Sequence, residues 1–214
     1  MELRLFPLRT VLFPGMALPL QVFEQRYRQL VAECVETSEP FGIVLIKEGA
    51  EVAGPAVPHA LGTTALIESV APTPSGRLQV HVVGGRRFRI AELHHDRPYL
   101  WADVEYPVDE GVEAPVTLMK QAHERYSTLV QLHHTAAGGY AREVATLDSP
   151  GALADTVGAA LSASPDELQQ LLETVDARRR LERAVALLEP AIAAAHREAT
   201  IAVRRRYGSL PSLN

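Results

Sequence analysis

The placement of proline and glycine divides this chain into two parts that must fold differently. In the first 107 residues these amino acids separate short apolar runs of strand length. After a Pro-, Gly- and acid-rich stretch at 107–115, alanine, leucine, glutamate and arginine dominate with helical spacing. We therefore predict an α+β chain, with a β-rich module at 1–107, a helical module at 108–206 and a loop tail at 207–214.

The β-rich module contains about six strand-sized segments, which lie at 3–5, 41–47, 62–70, 77–82, 86–92 and 100–106. The continuous apolar run at 41–47 predicts a central strand buried on both faces. One helix is inserted among the strands, because apolar residues recur at helical spacing at Phe23, Tyr27, Leu30, Val31 and Cys34. Pro40 is expected to end this helix, and Cys34 on its apolar stripe is expected to be a buried thiol.

A glycine pair, Gly84 and Gly85, precedes a segment that mixes basic and aromatic residues. The pair predicts a turn between two strands. In the second strand, alternation places Phe88 on the core side and Arg87 and Arg89 in water. A surface that binds single-stranded nucleic acid usually has several aromatic rings, and this segment has one. We therefore interpret it as a core-facing Phe88 beneath solvated arginines.

The helical module carries recognisable start signals. Residues 116–132 have helical spacing, and the Ser-Pro pair at 149–150 predicts the cap and first residue of a second helix. Ser-Pro-Asp-Glu at 164–167 has the form of a capping box. A last apolar stripe continues from 176 to about 206, and Pro190 is expected to kink or break that helix.

Several chemistries are excluded by residue content. The chain has two lysines, Lys47 and Lys120, and neither lies in a phosphate-binding loop or beside a serine motif for a Ser-Lys dyad. The single cysteine, Cys34, cannot form an intramolecular disulfide or a cysteine-based zinc site. The histidine doublets at 94–95 and 133–134 lack the spacing of a preformed chelate. We predict no ATPase or peptidase activity, no cofactor and no metal.

Charge and hydropathy restrict the partners and the compartment. The net charge of −5, from 21 basic and 26 acidic residues, argues against nucleic acid as the main partner. No apolar run approaches the ~18 residues of a membrane span, and the N-terminus lacks a signal-peptide core. The single cysteine suits a reducing compartment. We expect a cytoplasmic protein with no membrane partner.

Three neighbouring motifs lie near the N-terminus: Leu-Phe-Pro-Leu at 5–8, Val-Leu-Phe-Pro-Gly-Met at 11–16 and Leu-Pro-Leu-Gln-Val-Phe-Glu-Gln-Arg-Tyr at 18–27. Together they resemble the amino-terminal, substrate-binding domain of Lon proteases. The resemblance continues through Gly84, Arg86, Arg87, Phe88 and Tyr99. It covers the first 107 residues with named motifs and the helices to about 190 more loosely. It implies a PUA-like β-barrel with one inserted helix, followed by a helical bundle.

The same resemblance implies recognition of polypeptide. Full-length Lon proteases add an ATPase module and a Ser-Lys peptidase, and neither is found in this sequence. The chain therefore resembles a free-standing, non-catalytic substrate-binding domain protein related to proteolysis. The expected partners are unfolded or extended polypeptide segments, together with a separate protease or chaperone.

Two other classes of function stay open. One is an RNA-binding PUA-like protein, which would need a local positive surface built from Arg77, Arg86, Arg87, Arg89 and Arg97. The other is a small enzyme, which would need His81, His94 or His95 to meet carboxylates in a pocket. The net charge makes the RNA class the weaker alternative to polypeptide binding.

Four residues are candidates for contact with a bound peptide: Phe13, Pro14, Met16 and Tyr99. Phe13 and Pro14 lie in a Pro- and Gly-rich loop, and an extended segment is best held by apolar pockets and exposed backbone edges. The alternative interpretation is that Phe13 plugs one end of the barrel.

Five residues of the matched motifs are expected to be structural: Glu24, Arg26, Tyr27, Arg87 and Phe88. Glu24 is expected to pair with Arg87, and Arg26 with Glu68. Both ion pairs would fix the barrel rather than contact a ligand.

Overall fold

The structure, a computed structural model, describes residues 1–49, 56–139 and 146–207. Of the predicted loop tail, 208–214 lies outside the described residues. Contacts within the chain define two units. Unit 1 comprises Met1–Val108 and Ser164–Val175, and unit 2 comprises Asp109–Ala163 and Asp176–Asn214.

Seven strands and five helices make up the described fold. The strands are β1 (Glu2–Leu8), β2 (Ala17–Val22), β3 (Phe41–Gly49), β4 (Ala56–Pro58), β5 (Leu61–Pro72), β6 (Leu78–His94) and β7 (Trp101–Glu105). The helices are α1 (Gln25–Thr37), α2 (Val116–Ala137), α3 (Pro150–Ala160), α4 (Pro165–Glu173) and α5 (Ala177–Tyr207). A sheet with one inserted helix, followed by a mainly helical region, confirms the predicted α+β class.

The sheet of unit 1 closes on itself. Its order is β1-β7-β6-β5-β3-β4, and β1 also pairs in parallel with β3, so five strands form a ring. Of the two strands outside the ring, β4 pairs with β3 and β2 pairs with β6. The residues of β3 from Phe41 to Ile46 are all buried, as the continuous apolar run predicts.

The inserted helix α1 covers one part of the barrel core. Its buried side chains Leu30, Val31 and Cys34 pack in one cluster with apolar residues of the strands. The helix ends before Pro40, at Ser38, which adopts the left-handed conformation with φ 56°. Phe23, predicted to lie on the apolar stripe of this helix, instead precedes it and is 49% exposed.

The predicted turn at Gly84 and Gly85 is wrong, because both residues lie inside the 17-residue strand β6. The backbone of the loop at 13–16 approaches β6 here: Gly15 N–H donates to Gly84 O at 2.7 Å, and Gly84 N–H donates to Met16 O at 2.9 Å. A Cβ at Gly84 would collide with the carbonyl oxygen of Phe13. Gly84 is therefore required by close backbone packing within the sheet rather than by a turn.

Helix α4 packs against the sheet and belongs to unit 1, although its sequence was grouped with the helical module. Gln169 Nε2 donates to Leu61 O at 2.9 Å, and Arg87 Nε donates to Leu172 O at 3.0 Å. The prediction that Arg87 is solvated is wrong, since it is only 7% exposed. Alternation assumes that one face of the strand is wet, and α4 reaches Arg87 on that face.

The predicted helix starts are confirmed. Ala152 N–H donates to Ser149 Oγ at 3.3 Å at the start of α3. In the capping box of α4, Glu167 N–H donates to Ser164 Oγ at 3.3 Å and Ser164 N–H donates to Glu167 Oε2 at 3.0 Å. Pro190 does not break α5, which continues to Tyr207.

Unit 2 is built from α2, α3 and α5, with α5 packed against the other two. Arg180 in α5 is completely buried, and its guanidinium forms salt bridges with Asp109 and, at 3.1 Å, with Asp155. This buried cation anchors the segment that begins at Asp109 to the helices. In the described part of the chain, no helix has the length and hydropathy needed to cross a membrane.

Candidate functional site

Two of the four predicted peptide-contact residues are buried in unit 1, and the other two are half-buried. Phe13 is 1% exposed and is one of the largest fully buried side chains, and Tyr99 is 3% exposed. Pro14 and Met16 are half-buried. The hydrogen bonds between the 13–16 loop and Gly84 hold this loop against β6 while the Phe13 ring enters the core. The burial of Phe13 favours the interpretation of this ring as a plug.

Tyr99 takes part in an internal polar network. Its hydroxyl donates to Glu33, and Arg4 donates to Glu33 at 3.1 Å and to Glu39 at 3.0 Å. The hydrogen bond from Tyr99 is the main cause that lowers the pKa of Glu33. Burial opposes the charge of Arg4, but the hydrogen bonds to Glu39 and Glu33 outweigh it and raise the pKa of Arg4. This network ties β1, α1 and the segment before β7 together, so Tyr99 has a structural role.

The motif at the start of α1 is also internally bonded. Arg26 pairs with Glu24 at 3.0 Å, and its guanidinium lies 4.5 Å from the centre of the Tyr27 ring. Tyr27 in turn stacks on Phe6, with ring centres 4.0 Å apart. The expected partner of Arg26 was Glu68, and the structure places Arg26 on Glu24 instead. Phe88 is fully buried, as the alternation predicts.

An apolar groove of about 250 Å³ lies between β1, β2 and the start of α1. We call it the Phe23 groove, and its lining residues are Phe6, Leu8, Thr10, Leu18, Pro19, Leu20, Gln21, Phe23, Glu24 and Tyr27. Phe6, Leu8 and Leu20 are buried and form its base, whereas Phe23 is 49% exposed. The groove therefore offers an apolar surface that a ligand can reach.

Phe23 is placed in this groove by its position between β2 and α1. The guanidinium of Arg77 lies 5.5 Å from the centre of its ring, and Arg77 also donates to Gln21 at 3.2 Å. Sequence reasoning missed Phe23 because its spacing matched the apolar stripe of the helix that follows. The dense apolar motif at 18–27 was the signal that could have identified it.

A second, more polar cavity of about 530 Å³ shares Glu24 and Tyr27 with the Phe23 groove. Its lining includes Arg26, His95 and Arg97. Arg26 is paired with Glu24, and Arg97 donates to Glu2 at 2.5 Å, so these two cations already have carboxylate partners.

One group of side chains on β6 and β7 has the composition of a metal site. Potential ligand atoms of Glu92, His94 and Asp103 lie within 4.8 Å of one another. His94 Nε2 lies 3.1 Å from Asp103 Oδ2, and its ring stacks on Trp101 at 4.0 Å. His94 thus meets carboxylates, as the enzyme alternative requires, and Asp103 is its hydrogen-bond partner.

The arginines that an RNA surface would need have other contacts. Arg87 is buried, the Arg86 guanidinium lies 4.5 Å from the centre of the Tyr106 ring, and that of Arg97 lies 4.3 Å from the centre of the Trp101 ring. These three side chains are held against the protein by burial or by an aromatic ring.

Comparison with known proteins gives consistent matches. A family profile described as "ATP-dependent protease La (LON) substrate-binding domain" matches residues 2–189. A Lon protease of Roseiflexus castenholzii (strain DSM 13941 / HLO8) is 32% identical over 190 residues, which are 87% of this chain and 24% of that protein. A Lon protease of Syntrophus aciditrophicus (strain SB) is 30% identical over 184 residues, which are 80% of this chain and 23% of that protein.

Two solved structures share the fold over most of the chain. A Lon N-terminal domain protein from Xanthomonas campestris has a TM-score of 0.67 and 30% identity, covering 87% of this chain and 98% of that one. The N-terminal domain of Mycobacterium avium complex Lon protease has a TM-score of 0.68 and 25% identity, covering 88% and 98%. The chain thus spans about a quarter of the length of these curated relatives, and the matched family is the substrate-binding domain.

Proposed function

Because the chain belongs to the family of ATP-dependent protease La (LON) substrate-binding domains, we propose that its β-rich module binds extended apolar segments of unfolded polypeptides. The class of ligand, polypeptide, is inferred from the family. The observation that carries the proposal is the Phe23 groove, in which a half-exposed aromatic ring stands beside a buried apolar base.

The size of the groove suits side chains rather than a whole cofactor. Small-molecule pockets are typically ~300–1,000 Å³, and the Phe23 groove is about 250 Å³. Full burial of one large apolar side chain contributes ~1.5–3 kcal/mol. A single occupied groove therefore gives weak, reversible binding, which is appropriate for a surface that samples many unfolded sequences.

The proposed role is recognition without chemistry. The carboxylate of Glu24 is held by Arg26 at 3.0 Å, so it is not placed to act on a bound peptide. Of the residues predicted from sequence, the half-buried Pro14 and Met16 stay candidates for peptide contact, whereas Phe13 and Tyr99 are buried. We place the protein in the cytoplasm, as a non-catalytic partner of a separate protease or chaperone.

A matched pair of variants tests the proposal. Phe23→Lys puts a charge on the rim of the groove, and Val57→Lys makes the same change at a residue of similar exposure, 52% against 49%. With a fluorescently labelled, permanently unfolded polypeptide, we expect Phe23→Lys to weaken binding at least tenfold, because an ammonium group must be desolvated on binding. Val57→Lys should bind like the parent protein. Equal binding by the two variants would refute the site.

A further inference from the structure

One edge of strand β5 is only partly paired. Its first residues pair with β3 through Thr63, Thr64 and Ala65, whereas its pairing with β6 on the other edge continues to Pro72. Within the described ranges, no strand pairs with this edge of β5 from Leu66 to Pro72. An edge of this kind presents backbone N–H and C=O groups to which another strand can be added.

A groove of about 450 Å³ lies along this edge. Residues of β5 from Leu66 to Val70 form one side, and the other side is formed by the end of α1 and the turn after it: Cys34, Val35, Ser38, Glu39 and Pro40. The gap arises because the helix ends at left-handed Ser38 and Pro40 has no N–H to donate to β5. We call this space the edge groove.

Three exposed apolar side chains line the edge groove. Val35 is 51% exposed, Leu66 is 49% exposed and Val70 is 38% exposed. Val70 pairs with the fully buried Val80, so it lies on the core-facing side of the sheet. Backbone hydrogen bonds at a free edge provide affinity for an extended peptide, and neighbouring side-chain contacts provide selectivity.

Two features limit what this edge can accept. A register shift between Ile67 and Ser69 makes Glu68 the extra residue of a β-bulge, and Pro72 ends the strand. Bulges, charges and prolines restrict strand addition to short segments and oppose aggregation. Of the two carboxylates that line the groove, Glu39 already pairs with Arg4 at 3.0 Å, so a cationic side chain is the complementary neighbour of Glu68.

We propose that the edge groove binds a short extended polypeptide segment as an added β-strand on β5, with apolar side chains against Val35 and Val70 and a Lys or Arg near Glu68. The ligand class, an extended polypeptide, rests on the proposed function. The surface is separate from the Phe23 groove, so the two sites can be tested independently.

The test uses the full chain and a labelled peptide whose centre reads Val-Lys-Val-Thr-Val. Two further peptides carry the same side chains, with backbone N–H groups methylated at the odd or at the even positions. Alternate N–H groups of a strand point to opposite edges, so only one set can donate to β5. We therefore expect the peptide methylated on that set to bind at least tenfold more weakly, and the other methylated peptide to bind like the parent. A side-chain contact alone would not produce this difference.

Variants separate the two grooves. Val70→Lys, and independently Val35→Lys, should weaken binding of the Val-Lys-Val-Thr-Val peptide at least tenfold, with folding checked by circular dichroism. Glu68→Lys should reverse the preference toward a peptide with Glu in place of Lys, and Val57→Lys, at an exposed residue that lines neither groove, should have no effect. The edge proposal is overturned if both methylated peptides bind like the parent, if no peptide binds, or if only Phe23→Lys removes binding. Failure of the edge proposal would leave the proposed function standing, because binding of the unfolded polypeptide at the Phe23 groove is measured in a separate assay.

Discussion

Two phenylalanines exchange the roles that the sequence suggested for them. Phe13 follows a loop pattern but is buried, and Phe23 follows a helix pattern but is half-exposed. Both outcomes depend on tertiary contacts, because Gly84 holds the 13–16 loop and the guanidinium of Arg77 lies over the Phe23 ring. The hydrophobic pattern of a single segment gives no information on either contact.

This exchange predicts the stability of two variants. Phe13→Asp puts a carboxylate in the core, and we expect it to lower the free energy of unfolding by about 4 kcal/mol or more, from the lost packing and the buried charge. Phe23→Asp makes the same chemical change at an exposed ring and should lower it by less than about 1 kcal/mol. Urea denaturation of both proteins measures the difference. Similar losses for the two would mean that Phe13 is not part of the core.

At the scale of elements, β6 and α4 show where local patterns stop being sufficient. The helix starts at Ser149 and Ser164 were predictable because a cap is a local interaction. The continuity of β6 through Gly84 was not predictable, because a glycine pair is typical of turns. Only the close approach of the Phe13 backbone explains why a glycine is needed inside this strand. Strand β2 was also missed, because Pro19 interrupts its pattern.

The burial of Arg87 shows that α4 is part of unit 1, and this has a measurable consequence. Arg87→Met removes the donor to Leu172 O and leaves that carbonyl without this hydrogen bond, which should lower the free energy of unfolding by ~1–3 kcal/mol. Arg89→Met changes an exposed arginine on the same strand and should change it by no more than ~0.5 kcal/mol. The single tryptophan, Trp101 in β7, reports the unfolding of this unit by fluorescence. Equal effects at 87 and 89 would contradict the role assigned to α4.

At the scale of the whole molecule, the fold class and family could be predicted from sequence, whereas the position of the binding surface could not. Strand-length runs, the inserted helix and the motifs at 5–27 follow from local patterns and from resemblance. The Phe23 groove and the edge groove need the sheet to be assembled, because each combines residues from separate elements. The candidate site thus depends on topology more than on any one motif.

The central claim is that unfolded polypeptide contacts the protein at the Phe23 groove. The most direct measurement is photocrosslinking, with a photoreactive phenylalanine analogue at position 23 and, in a separate protein, at position 57. We predict that position 23 crosslinks to a labelled unfolded polypeptide, that excess unlabelled polypeptide suppresses the product, and that position 57 gives little. Equal crosslinking from both positions, or none from position 23, would contradict the claim.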